Sequence, residues 1–275
     1  MATFEIENGV LKSITAEDDE TNIVIPEGVT CLSNGWSLKF LFGSRNRSVR
    51  LPSTLKEIEK QYNRFPGLHA LDFGMANLPF KYSLRGAYNV MSRTILSADP
   101  DNPRFKVING SFVDVIDKIL YGEVEPDATI PDFIEKIEEF ALRSNVEVLE
   151  TGSETKDIER GAFNSCFFLK KLIINGKLER LCGDLLATSV KPEIIIHVSS
   201  KLKTVSKKPF NFDLVKEIYF DSKKEEFLKN PFINGYLNNS TKLDAKIYFL
   251  DENNNYVLDG TMEKYGIKKE IREEQ

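Results

Sequence analysis

Ile158-Glu-Arg-Gly-Ala-Phe163-Asn-Ser-Cys166-Phe-Phe-Leu169-Lys-Lys-Leu172-Ile-Ile174 is the stretch whose reading decides the fold. Ile158 closes a short amphipathic step. Leu172 and Ile174 stand at i and i+2, the spacing at which a strand turns alternate side chains to one side. The same layout recurs along the chain. Anchors equivalent to Ile158 are Leu32, Ile58, Ile137, Leu181 and Val205. The steps from Ile137 to Ile158 to Leu181 to Val205 are nearly equal, and the step from Leu32 to Ile58 is slightly longer. At a constant distance downstream of an anchor come Leu71 and Phe73, Ile194 and Ile196, and Ile218 and Phe220; Leu172 and Ile174 follow Ile158 one place later. Each unit therefore supplies a short strand. A recurrence of roughly 23 residues is the signature of stacked units, none of which buries enough apolar surface to fold alone.

Ile25-Pro26, Leu51-Pro52 and Ile130-Pro131 precede several anchors. Proline fixes φ and has no ladder donor, so these steps suit turns between units. Phe4-Glu-Ile-Glu-Asn8-Gly9-Val-Leu11 echoes Phe105-Lys-Val-Ile-Asn109-Gly110-Ser-Phe112. In each, Asn-Gly between alternating apolar residues predicts a tight hairpin. Residues 78–101 fit the repeat poorly and read as a degenerate coil or an insert with helical character. Ser222-Lys-Lys-Glu225 reads as a capping box opening a short helix, Lys246 to Leu258 as a terminal hairpin, and the last dozen residues as a charged end.

The expected organisation is a cap hairpin over 1–25, a solenoid over 26–221 with an irregular insert near 78–127, and a C-terminal cap and charged tail over 222–275. The expected fold class is an α/β or mainly-β repeat solenoid. Composition agrees with a folded chain: 41% of residues are hydrophobic, and Gly and Pro make up 27 of 275. The most apolar runs, such as Ile194 to Val198, are far short of a membrane span. The first residues show no basic and apolar leader, which points to the cytoplasm. A net charge of −5 argues against a nucleic-acid binder.

The stretch from Ile158 to Ile174 resembles the consensus unit of BspA-type leucine-rich repeats, with its order Ile, Ala-Phe, Cys, Leu-x-x-Leu-x-Ile. The Ile/Leu-Pro steps at 25–32, 51–58 and 130–137 are similar to that family's linkers, and Asn102-Pro-Arg-Phe105 with Asn109-Gly110 resembles its internal hairpin insert. The likeness extends unevenly over residues 4–250. It implies a right-handed coil of short parallel strands; the repeat itself suggests about six to seven turns, with the Phe4 hairpin and residues 222–258 as caps over its apolar ends. The likeness also implies recognition of proteins or surface glycans, commonly outside cells.

Signals for chemistry are few. His69 and His197 fall at outward strand positions, where an imidazole is ordinarily structural. Cys166 sits at a small core position of the repeat, and Cys31 and Cys182 have no basic neighbour in the local sequence to activate them. Phosphate-binding, nucleophile-elbow, dinucleotide and metalloprotease motifs are absent from the sequence. Glu17-Asp-Asp-Glu20 lacks the spacing and turn glycine of a calcium loop. The expectation is a chain that is not an enzyme and uses neither cofactor nor metal. Lys201, Lys203, Lys207, Lys208 and Lys216 form a basic stretch that reads as a solvated loop.

If the strand pairs point inward, Ile173, Ile195 and Tyr219 face out as an apolar stripe, with Asp72 equivalent on an earlier coil. Such a stripe serves a partner or self-association, or is covered by the chain's own tail, or is chance. The expected contact row for a protein partner is Asp72, Lys171, Ile173, Ile195, His197, Lys216 and Tyr219. The alternatives are an enzyme or small-molecule binder with a pocket beside 78–101, and a structural repeat that forms homo-oligomers through the stripe.

Overall fold

A computed structural model of the chain describes residues 1–17, 19–33, 47–58, 68–78, 95–206, 208–240 and 244–261. It is a mainly-β solenoid of about eight turns with parallel strands and almost no helix, one or two turns more than the sequence count. Two compact units divide it, Met1–Val124 and Glu125–Gln275.

In the first unit one sheet runs β1 (Thr3–Glu7), β2 (Val10–Thr15), β4 (Cys31–Leu32), β6 (Glu57–Ile58). The other runs β3 (Asn22–Val24), β5 (Ser48–Arg50), β7 (Ala70–Asp72), β8 (Ile95–Ser97). Equivalent residues of successive turns meet in parallel register: Leu11, Leu32 and Ile58 on one sheet, and Ile23, Val49, Leu71 and Leu96 on the other. All of them are buried. The Asn-Gly steps form the expected hairpins. Asn8 and Gly9, and Asn109 and Gly110, all take positive φ, which asparagine and glycine adopt most readily. The second hairpin joins β9 (Phe105–Ile108) to β10 (Ser111–Asp114), which pairs onward with β11 (Ile119–Glu123). Phe105 and Phe112 close the core against Phe73, with ring centroids 4.3 and 5.4 Å from it. Of the poorly fitting stretch 78–101, residues 79–94 lie outside the described residues. Its end forms β8, which pairs with β7 as a further turn.

In the second unit β12 (Lys136–Ile137), β14 (Asp157–Ile158), β16 (Arg180–Leu181) and β18 (Thr204–Val205) pair in parallel, so Ile137, Ile158, Leu181 and Val205 stand in one column. The facing six-stranded sheet runs β13 (Val148–Glu150), β15 (Lys171–Ile174), β17 (Glu193–Ser199), β19 (Val215–Asp221), β20 (Lys246–Leu250), β21 (Tyr256–Thr261). Only β21 is antiparallel to its neighbour. Leu172, Ile174, Ile194, Ile196, Ile218 and Phe220 are all fully buried inside it. Phe163 and Cys166 fill the corner between the sheets' strands, the Cys166 thiol donating to the Leu142 carbonyl at 3.5 Å. The predicted short helix at 222 is a 3-10 turn, Lys224–Lys229. α1 (Pro231–Asn239) follows it, with the Asn230 Oδ1 capping the Phe232 N–H at 2.9 Å.

Candidate partner-binding face

The outward side of the six-stranded sheet is laid out by its register. One row across the strands reads Glu150, Ile173, Ile195, Glu217, Lys246. The next reads His197, Tyr219, Tyr248. This corrects the expected stripe. Ile173 and Ile195 are neighbours, but Glu217 occupies the place beside them, and Tyr219 belongs to the row of His197. Equal spacing from the anchors sets Ile218 opposite Ile194; the sheet sets it opposite Ile196, further along β17. The cause is a β17 longer than its predecessors, together with a bulge in which Lys216 is skipped between Val215 and Glu217.

The second row is an aromatic stack. His197 and Tyr219 lie 4.6 Å apart between centroids with their planes 7° apart, and Tyr219 and Tyr248 lie 4.4 Å apart at 6°. These separations follow from the spacing of adjacent strands, roughly 4.8 Å. Parallel pairing puts identical positions side by side, and three rings at one position must stack. Tyr256, arriving on β21, stands nearly perpendicular to His197 and Tyr219, at 5.6 and 5.1 Å.

Burial among these rings holds the His197 imidazole below its ordinary pKa, with the Glu150 carboxylate pulling weakly the other way. Burial also pushes the Tyr219 hydroxyl well above its ordinary value, reinforced because it donates to Glu217 Oε2 at 2.7 Å. Tyr256 is raised by burial and by the nearby Asp221 charge.

All but one of the expected contact residues belong to this sheet: Lys171, Ile173, Ile195, His197, Lys216 and Tyr219. Asp72 is in the first unit, where it takes Arg50 Nη1 at 2.7 Å and the Gly74 N–H at 2.9 Å; Arg50 also clasps Asp99 at 2.8 Å. Its carboxylate is thus occupied in holding a turn. Tyr248 and Tyr256 were missed. The alternation over Lys246 to Leu258 marked the hairpin, but only the pairing of β20 with β19 shows that Tyr248 continues the row.

The outward side of the opposite sheet is a network of charges. Arg180 binds Asp157 and Glu159 at 3.4 and 2.5 Å, and Lys136 pairs with Glu138. Cys182 lies beside it and, against the expectation of no basic neighbour, its sulfur receives Arg180 Nη1 at 3.8 Å; burial and Glu159 outweigh that cation and push the thiol up, so it is not an activated nucleophile. Among the described residues no group of three or more His, Cys, Asp or Glu side chains is placed to hold a metal. No helix among them is long and apolar enough to cross a membrane.

No family model matches the chain, and no curated protein matches it. Among solved structures, the crystal structure of the pneumococcal vaccine antigen PcpA aligns with 88% of this chain and 95% of its own, at 13% identity and a TM-score of 0.27. At that score the likeness carries no argument, and the fold rests on the register described above.

Proposed function

We propose that this chain is a non-catalytic recognition module of the leucine-rich repeat kind, which takes a protein partner on the outward side of the six-stranded sheet in its second unit. The observation that carries the reading is the ordered aromatic row His197, Tyr219, Tyr248 beside Ile173 and Ile195. Rings locked by mutual stacking lose little side-chain freedom on binding, and tyrosine offers apolar area with a polar tip. Such residues are the usual centres of protein interfaces. Tyr219, in the middle of the row, holds the rings in place, both of its faces and its hydroxyl being taken; Tyr256, 40% exposed, is the more accessible ring, and Lys171, Lys216 and Glu217 supply a charged margin.

Affinity capture with wild-type protein, Ile195→Asp, Tyr219→Ala and the remote surface variant Lys208→Glu tests this. A partner held by wild type and Lys208→Glu but lost by both face variants supports the proposal. Retention of the same partners by Ile195→Asp and Tyr219→Ala contradicts it.

A further inference from the structure

Tyr256 shows one π face to solvent, and the geometry of its neighbours requires it. His197 and Tyr248 come from the strands on either side of Tyr219, so both faces of the Tyr219 ring are taken. Tyr256 stands at 80° and 82° to the two rings it touches, with centroids 5.6 and 5.1 Å away. Carbons touch at about 3.5–4.0 Å, so rings meeting edge to edge would hold their centroids farther apart than this. Tyr256 therefore lies flat across the edges of His197 and Tyr219. One face covers those electropositive edges and the other looks outward, leaving the residue 40% exposed.

One negative charge stands beside this ring: Asp221 follows Phe220, whose partner Phe249 precedes Leu250, the residue paired with Tyr256. Asp221 is exposed at the end of β19 and has no ion-pair partner among the described residues. Glu217 lies in the row on the other side of Tyr219, where it accepts the Tyr219 hydroxyl and meets Lys246 at 3.8 Å. An aromatic face with a carboxylate beside it attracts a cation through the ring quadrupole and through charge together.

We propose that the outward face of Tyr256, with Asp221 beside it, binds the cationic side chain of a basic peptide segment, arginine in preference to lysine. This rests on the recognition face described above and names the chemistry of its partner. Arginine fits best because its planar guanidinium stacks on a ring while directing N–H groups at a carboxylate in the same plane; lysine offers only a point charge. A neutral saccharide would stack on the ring and donate hydroxyls to Asp221 but bring no opposite charge to it.

The test is calorimetric titration of the full chain with acetyl-Gly-Arg-Gly-Arg-Gly-amide, its lysine counterpart, its citrulline counterpart and maltohexaose. The arginine peptide is expected to bind tightest and the uncharged citrulline peptide weakest. Tyr256→Leu and Asp221→Asn are each expected to weaken the arginine peptide by about two- to thirty-fold, whereas Tyr256→Phe, which keeps the ring, binds as wild type does. Equal binding of the citrulline peptide, indifference to Tyr256→Leu and Asp221→Asn, or maltohexaose binding that depends on Tyr256 would each overturn the proposal. The two readings fail separately. Partner loss in Ile195→Asp with no arginine-peptide site removes only this inference. A Tyr256-dependent peptide site with partners unchanged in Ile195→Asp removes only the recognition face.

Discussion

Arg104 is a buried cation held against a fully buried carboxylate. Its side chain is 7% exposed, and Nε meets Asp114 Oδ2 at 2.6 Å, a carboxylate with no exposure. Asp114 also receives the Ile116 and Asp117 N–H groups, each at 2.9 Å, so one carboxylate holds both the charge and the turn. Removing Asp114 leaves the buried Arg104 with only the half-exposed Asp117 as a partner and takes the acceptor from two backbone N–H groups. Asp114→Ala is expected to lower stability by about 3–5 kcal/mol, read from denaturant unfolding of the first unit's signal; a loss under about 1 kcal/mol, typical of an exposed pair, would contradict this. His197 gives a prediction of the opposite kind. Its folded pKa lies below the ordinary 6.5, so as pH falls the unfolded chain takes up the proton first. The stability it confers is full above about pH 6.5 and drains away as pH falls below that, until the folded imidazole itself is charged. Wild type should lose more stability than His197→Gln between pH 7.5 and 5.5 in urea titrations. Identical losses would show that the ring is not held neutral by its neighbours. Neither role was legible in the chain. His197 could be read as outward-facing from its place after Ile194 and Ile196, but the rings it meets come from β19 and β21, distant in sequence and brought near only by pairing.

Elements in this molecule are defined by what lies one turn above and below. The strands of the column through Ile137, Ile158, Leu181 and Val205 are two residues long and could not persist alone. Their positions were legible because the anchors carry the period themselves. The facing sheet was legible only in part. Leu172, Ile194 and Ile218 announce strands by i, i+2 spacing, but the register between β17 and β19 depends on strand length and on the bulge at Lys216, and no local pattern encodes either. That is why the predicted row was right for Ile173 and Ile195 and displaced for Tyr219. Close stacking of turns also sets a steric limit. A Cβ on Gly176 would fall 2.4 Å from the Thr155 carbonyl oxygen, and φ there is +110°. At Gly28, with φ +93°, a Cβ would meet nothing within 4 Å. Gly176→Ala should cost more than Gly28→Ala: the former adds about 1–3 kcal/mol of overpacking to the backbone strain that both share. Equal melting temperatures for the two variants would mean that the turns are not packed so tightly at this corner.

The whole molecule is stabilised by repetition more than by any single site. Each turn buries a few apolar side chains inward and lends its upper and lower edges to its neighbours, so stability accumulates from nearest-neighbour contacts. The same repetition builds the proposed binding face: matched positions on successive strands fall side by side, and aromatic residues placed there become a ladder without further design. The most direct test of the account is methyl-to-methyl nuclear Overhauser contacts in isotope-labelled protein. Stacked turns in the register described here predict contacts in series, Ile137 to Ile158 to Leu181 to Val205, with Leu172 meeting Ile194 across the facing sheet. Methyls of these residues that show contacts only to near neighbours in sequence, and none to their counterparts a turn away, would contradict it.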